Sequence, residues 1–190
     1  MCLYGCKATV DMFGLSDDDF VPQVTGEQLQ WLEQTLTDNP GVEHVVVMGH
    51  APVRFTAPGT TSESLMLMGG TGSALWQAFK KHQVHLYLCG GDAGGVGCAQ
   101  ADGVLQIIHG TLMGQRPKLN YLVATASSKG LDLEIKEIEV TNQDGRPIIT
   151  DEARKQGFTS IGKARLSPEG GKMMLRDTAG CLAGFQLSAP

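Results

Sequence analysis

The sequence lacks the features that would indicate a nucleic acid or a membrane as a partner. It has no block of lysine or arginine and no apolar run long enough to cross a bilayer. Its first segment, MCLYGCKATVDMF, has no basic stretch followed by an apolar one. Its 20 Asp and Glu exceed its 15 Lys and Arg, for a net charge of −5. We therefore expect no nucleic-acid partner, no membrane partner and no secretory signal.

Closely spaced cysteine pairs are also missing. The five cysteines form no Cys-x-x-Cys pair, and their number is odd; they are Cys2, Cys6, Cys89, Cys98 and Cys181. This argues against a disulfide framework and against a zinc knuckle. Free thiols fit a reducing compartment, so the sequence predicts a cytoplasmic protein.

What the sequence does contain is enough apolar residues for one core. With 190 residues and 42% hydrophobic content, we expect a single domain over residues 1–190. Within it we expect an irregular segment at 1–24, a core at 25–140 and a polar C-terminal extension at 141–190. That extension has room for one hairpin, with strands KARLS and KMMLRD.

The core segment alternates helical and strand patterns. Residues 25–36 and 72–82 have apolar side chains at helical spacing, and each is followed by an apolar strand, VEHVVVMGH and then VHLYLC. Three more strands are predicted: VLQIIHG, NYLVATAS and LDLEIKEIEV, with a hairpin turn between the last two. This order predicts an α/β or α+β fold, with two helix–strand units that feed one sheet; we expect the α/β class.

Two predicted strands end in loops that favour a binding site. The first ends in Gly49-His50-Ala51-Pro52 and the second in CGGDAGG, residues 89–95. Ligand sites of α/β sheets collect at such strand ends. His50 is therefore a candidate metal ligand, and the alternative is a loop histidine that bonds to the backbone.

The order of these segments resembles the C-terminal half of calcineurin-like metallophosphoesterases. That family has a Gln-x-x-Trp-Leu helix, a strand ending in Gly-His-x-Pro and a later strand ending in Ser-Gly-Thr. The matching residues here are Gln28, Trp31, Leu32, Gly49, His50, Pro52, Gly110 and Thr111. The resemblance covers roughly residues 25–140. It implies a metallophosphoesterase-like α/β/β/α sandwich and a two-metal phosphoester hydrolase, here without the N-terminal half.

The sequence departs from that family at the metal ligands. The family's Gly-His-x-His segment falls on Gly90, Gly91, Asp92 and Ala93, so both histidines are missing. The Asp-x-His, Gly-Asp and Gly-Asn-His-Asp segments of the N-terminal half have no counterpart. His50 alone matches a family ligand, and one histidine with one aspartate cannot hold two divalent ions.

A smaller site remains open to this sequence. His50, Asp92 and His109 each follow an apolar strand, and if those strands are neighbours the three side chains converge. Such a set suits one divalent ion, Mn, Fe or Zn, with an open position, and Cys89 or Cys98 could assist. The alternative is no metal at all, with Asp92 in an Asx-turn and His109 as a capped strand-end residue.

Two functions follow as expectations. The first is a phosphoester hydrolase of metallophosphoesterase type, acting on a small phosphoester through His50 and Asp92 and impaired in this chain. The second is a non-catalytic binding or oligomerisation module. Since strands of the missing half would cover the core, we also expect an uncovered sheet edge and a homo-oligomer that buries it.

Overall fold

A computed structural model describes residues 24, 26–53, 67–90, 96–109, 118–144, 146–170 and 172–183. In chain order the helices are α1 (Gly26–Asp38), a 3-10 turn (Gly70–Gly72), α2 (Ala74–Lys81) and α3 (Asp151–Gln156). The first four strands are β1 (Val46–Met48), β2 (Leu86–Cys89), β3 (Gly97–Ala101) and β4 (Val104–Ile108). The others are β5 (Lys118–Ser127), β6 (Gly130–Glu139), β7 (Thr141–Gln143), β8 (Arg146–Ile148), β9 (Thr159–Glu169) and β10 (Lys172–Gly180).

The first sheet joins the two helix–strand units. Its order is β1-β2-β4-β3, with β1, β2 and β4 parallel and β3 antiparallel to β4. Met48 pairs with Leu88, and Cys89 pairs with Ile108. The predicted strands β1, β2 and β4 are thus neighbours, and their carboxyl ends lie at one edge of the sheet.

Helices cover one face of this sheet. The face of α1 predicted to be apolar contributes Leu32, which is buried, while Trp31 is exposed. Helix α2 begins at Ser73, whose hydroxyl accepts a hydrogen bond from the N–H of Trp76 at 3.3 Å. Trp76 and Phe79 are buried against side chains of β2 and β4.

The second sheet is antiparallel, in the order β10-β9-β6-β5. The predicted hairpin of NYLVATAS and LDLEIKEIEV is present as β5 and β6. The hairpin predicted in the C-terminal extension is present as β9 and β10, and both strands are longer than the sequence pattern indicated. The segment after residue 140 therefore supplies two of the four strands of this sheet.

The two sheets pack against each other through a buried core. Leu86, Leu105 and Ile107 of the first sheet share a cluster with Ile135 and Leu166 of the second. The described residues thus form a mixed α/β fold in which the first sheet lies between helices and the second sheet. The fourth layer of the expected α/β/β/α sandwich stays a prediction. In the described part of the chain no helix is long and apolar enough to span a bilayer.

Candidate functional site

The candidate site lies where the carboxyl ends of β1, β2 and β4 meet. The N–H of Gly49 donates to the carbonyl of Leu88 at 2.9 Å, and the N–H of Gly90 donates to the carbonyl of His50 at 2.9 Å. The N–H of His109 donates to the carbonyl of Cys89 at 3.1 Å. His50 and His109 therefore flank Gly90, one on each neighbouring strand end. Because strands lie about 4.8 Å apart, the two histidine backbones are separated by roughly 10 Å.

The exposed ring of His50 lies over the backbone of Gly90. A Cβ atom at Gly90 would stand 3.8 Å from Nδ1 of His50, an ordinary contact distance, so the ring lies close to Gly90. Both roles expected for His50, metal ligand and loop histidine whose ring bonds to the backbone, stay predictions. Asp92 follows Gly90 but lies outside the described residues, so its place beside His50 stays a prediction.

His109 supplies a neutral imidazole at the third strand end. Burial lowers the pKa of His109, so the ring is uncharged at neutral pH. Its Nδ1 is buried and has no hydrogen-bond partner among the described residues. An uncharged ring keeps one nitrogen lone pair, which is what a metal ligand requires. The backbone N–H of His109 is hydrogen-bonded, as the interpretation without a metal expects for a strand-end residue. Its ring nitrogen Nδ1 has no hydrogen-bond partner among the described residues.

The two cysteines expected to assist a metal are both buried. Burial raises the pKa of the Cys89 thiol, which donates to the carbonyl of Ile107 at 3.5 Å. Burial and the nearby Cys181 raise the pKa of Cys98 to about 11, and its thiol lies 3.5 Å from the carbonyl of Leu182. A thiol that stays protonated is a poor metal ligand. A part for either cysteine in a metal site therefore stays a prediction.

Two buried side chains that sequence reasoning missed hold the loop after β1. The hydroxyl of Tyr87 donates to the carbonyl of Ala51 at 2.7 Å, and the amide oxygen of Gln106 accepts from the N–H of Val53 at 2.7 Å. Burial, with a contribution from Cys89, raises the pKa of Tyr87, which keeps its hydroxyl a donor. The sequence signal for Gln106 was its position as a polar residue inside the apolar run VLQII. Because buried polar groups are hydrogen-bonded, this position indicates a side chain with a structural partner.

The close packing of Tyr87 explains Gly49. A Cβ atom at position 49 would overlap the Tyr87 hydroxyl oxygen, so only glycine fits without displacement of that ring. Gly49 thus lets the chain turn over Tyr87, and this turn presents His50 at the surface.

The described side chains do not fit a two-metal centre. Among these residues no group of three or more His, Cys, Asp or Glu is close enough to hold an ion. A two-metal site holds its ions about 3.5–4 Å apart and needs several ligands. The single-ion set of His50, Asp92 and His109 stays a prediction.

Comparison with known proteins gives distant similarities to solved structures, of which two are described below. No protein-family model matches the sequence, and no curated protein matches it significantly. The chain is similar to a dimetal phosphatase from Danio rerio, with 20% identity and a TM-score of 0.40 over 65% of this chain and 35% of that chain. It is also similar to GAP50, the anchor in the inner membrane complex of Plasmodium. There the identity is 14% and the TM-score 0.38, over 84% of this chain and 43% of that one. The chain therefore spans less than half the length of either structure, and TM-scores below 0.5 do not establish a shared function.

Proposed function

We propose that this chain is a metallophosphoesterase-like domain whose phosphoester hydrolase activity is impaired. The observation that carries the proposal is the pair of histidines after β1 and β4, on either side of Gly90 at the end of β2, with no group of three or more ligand-type side chains among the described residues. The sequence resemblance supports the fold type and the substrate class, a small phosphoester. The missing histidines at positions 91 and 93 support the impairment.

The residual chemistry of the site follows from its donors. The exposed His50 and the uncharged His109 can each present one imidazole nitrogen, and Asp92 is the third group of the proposed set. When bound, one divalent ion would polarise a phosphoester oxygen but would leave either the attacking or the leaving oxygen unsupported. The protein's own part is to hold His50 outward through the Gly49 turn and the Tyr87 hydrogen bond.

Phosphatase activity is the first test of this function. We expect no turnover of bis-p-nitrophenyl phosphate or p-nitrophenyl phosphate at an ordinary enzyme rate, about 1 per second or more, with added Mn²⁺, Zn²⁺ or Fe²⁺. Turnover at that rate which disappears in His50→Ala would show that the activity is intact. His82→Ala is the matched control, because His82 lies at the end of α2, near the amino ends of the strands.

Metal affinity tests the single-ion site separately. Calorimetric titration with Zn²⁺ and Mn²⁺ should show at least about tenfold weaker binding in His50→Ala and in His109→Ala, since each removes one ligand of three. The His82→Ala protein should bind like wild type. Equal affinity in His50→Ala and wild type would show that His50 is not a ligand and would contradict the proposed single-ion site.

A second candidate function is the non-catalytic binding or oligomerisation module. It is favoured by exposed apolar side chains on β1, where Val46 is 42% and Met48 is 77% exposed. This candidate makes no use of His50, so the two functions are tested independently.

A further inference from the structure

The two sheets end in edge strands on the same side of the molecule. In the described part of the chain, β1 is the last strand of the first sheet and β5 is the last strand of the second. Nε2 of His44, just before β1, donates to the carbonyl of Ser127, at the end of β5, at 2.7 Å. We call this edge, formed by β1 and β5, the open side.

Inward-facing side chains of β1 are uncovered on the open side. Val46 pairs with Leu86 and Met48 pairs with Leu88, so both point toward the core between the sheets. Leu86 is fully buried and Leu88 packs against the same core. Val46 and Met48 continue this row by one strand and are exposed. The second sheet therefore does not reach over β1.

The same is true of β5 in the second sheet. Ala124 pairs with Leu133 and Ala126 pairs with Leu131, and both leucines belong to the core between the sheets. Both alanines are exposed although they face inward. The core thus extends to the last strand of each sheet and is open to solvent there.

Among the described residues, the edge of β5 has little of the usual protection against strand pairing, and its one charge is Lys118 at the first position of the strand. It is 10 residues long and pairs with β6 without a bulge. Residues 119–127 carry no charge and no proline. Long, regular, uncharged edges are templates for a further strand, and natural proteins normally interrupt them with charges, prolines or bulges.

We propose that the open side is a homodimer interface, in which β1 and β5 each pair with the same strand of a second copy. A two-fold axis normal to the sheets places β1 beside β1 and β5 beside β5, both antiparallel, so one operation closes both sheets. Neither β1 nor residues 119–127 of β5 would bring like charges together.

The open side is longer on the second sheet than on the first. The edge of β5, with 10 residues, is about 33 Å long, and that of β1, with 3 residues, is about 10 Å long. With each sheet about 10 Å thick, the two edges together present on the order of 400 Å² per copy, the size of a weak interface that depends mainly on backbone pairing along β5. A second copy also meets both edges at once, which a single added strand does not.

The test is the oligomeric state of charge variants. Light scattering at about 10–50 µM should give twice the chain mass of 20.2 kDa for wild type. The Ala124→Lys and Met48→Lys proteins should be monomers, or show at least about tenfold weaker dimerisation, because each brings two ammonium groups to the two-fold axis region. Far-UV circular dichroism should remain that of wild type, since both positions are exposed.

Met174→Lys is the matched control. Met174 is exposed on β10, the opposite edge strand of the second sheet, so this variant adds the same charge away from the open side. It should remain a dimer. A monomeric wild type, or a dimer unaffected by both open-side lysines, would overturn the proposal. A dilution series of wild type followed by hydrogen exchange gives a second readout, in which the β5 amides should lose protection as the dimer dissociates.

Discussion

The two sides of the sheet sandwich are built differently. We call the side formed by β3 and β10 the closed side. There the thiol of Cys98 lies 3.5 Å from the carbonyl of Leu182, and the amide of Gln100 donates to the carbonyl of Met173 at 3.0 Å. Leu182 and Met173 are buried. On the open side, the tie from His44 to Ser127 joins the sheets near the surface and covers no core side chain.

This difference shows that an apolar strand is buried only if another element crosses over it. The segment after β10 turns back and covers β3, and the second sheet is bulged between Arg176 and Ala179 on that side. No comparable turn covers β1 among the described residues. Two apolar strands, VVM in β1 and LYLC in β2, are therefore mostly exposed in the first case and mostly buried in the second.

The largest expected difference between core and open side is in folding stability. Leu166→Ala removes a fully buried side chain from between the sheets and should lower the free energy of unfolding by about 2–5 kcal/mol. Met48→Ala should change it by less than about 0.5 kcal/mol in the monomer, because its side chain is exposed. Urea unfolding in an Ala124→Lys background separates folding from association. Equal losses in the two variants would mean that the open side is covered.

The sequence predicted most of the strands but not β3. The strands β1, β2 and β4 and the hairpin β5–β6 were visible as apolar runs bounded by turn residues. The segment Gly97–Ala101 consists of small residues with little preference for strands. Its signal was the Asp102-Gly103 dipeptide, where both residues have positive φ, 53° and 84°, as a tight hairpin requires. The short helix α3 and the pair β7–β8 were also not predicted.

For the candidate site, the sequence predicted the residues at the ends of the strands. It did not predict the side chains that hold the loop after β1 in place. His50 and His109 follow apolar runs, and runs of this kind end at the same edge once the strands are parallel neighbours. The contacts of Tyr87 and Gln106 depend on the order β1-β2-β4, because each side chain reaches a loop that is far from it in sequence. Strand order is not encoded in any local pattern, so these residues could not be assigned a role in advance.

The next largest effect on folding stability is expected at the Gly49 turn, which follows the carboxyl end of β1. Gly49→Ala should lower stability by about 1–3 kcal/mol, because the new methyl group displaces the Tyr87 ring. Tyr87→Phe loses the hydrogen bond to Ala51 and should lower it by about 1–3 kcal/mol as well. Since both act on one contact, the double variant should lose less than the sum. Additive losses in urea unfolding would show that the two residues are independent.

A smaller loss of stability is expected when the hydrogen bond between the two sheets on the closed side is removed. Gln100→Leu removes the donor to the carbonyl of Met173 and should lower stability by about 0.5–1.5 kcal/mol. The reaction of Cys98 with a thiol reagent should become faster, because its thiol is otherwise buried and protonated with a pKa of about 11. Thr125→Val on exposed β5 is the control and should leave both measurements unchanged. If Cys98 in Gln100→Leu reacts with the thiol reagent at the wild-type rate, the hydrogen bond from Gln100 to Met173 does not keep β3 and β10 together.

The smallest effect is a pH dependence that belongs to the open side. His85 lies just before β2, and its Nδ1 accepts a hydrogen bond from the N–H of Val45 at 3.2 Å, next to the start of β1. Burial, and to a smaller extent the nearby His44, lowers the pKa of His85 from its usual 6.5. Below pH 6.5 the unfolded chain binds a proton at His85, whereas the folded chain binds it only at a lower pH.

Stability should therefore be constant above about pH 6.5 and fall as the pH drops below it, because folding then excludes a proton. Thermal unfolding between pH 5 and 8 measures this. His85→Asn keeps a hydrogen-bond acceptor but does not titrate, so the acid loss should be smaller in this variant. The lowered pKa of His109 acts in the same direction, so a His109→Gln background isolates the effect of His85. The strands of the closed side contain no histidine, so a Gln100→Leu protein should keep the wild-type pH dependence. An acid loss as large in the His85→Asn/His109→Gln double variant as in His109→Gln alone would assign the loss to groups other than His85.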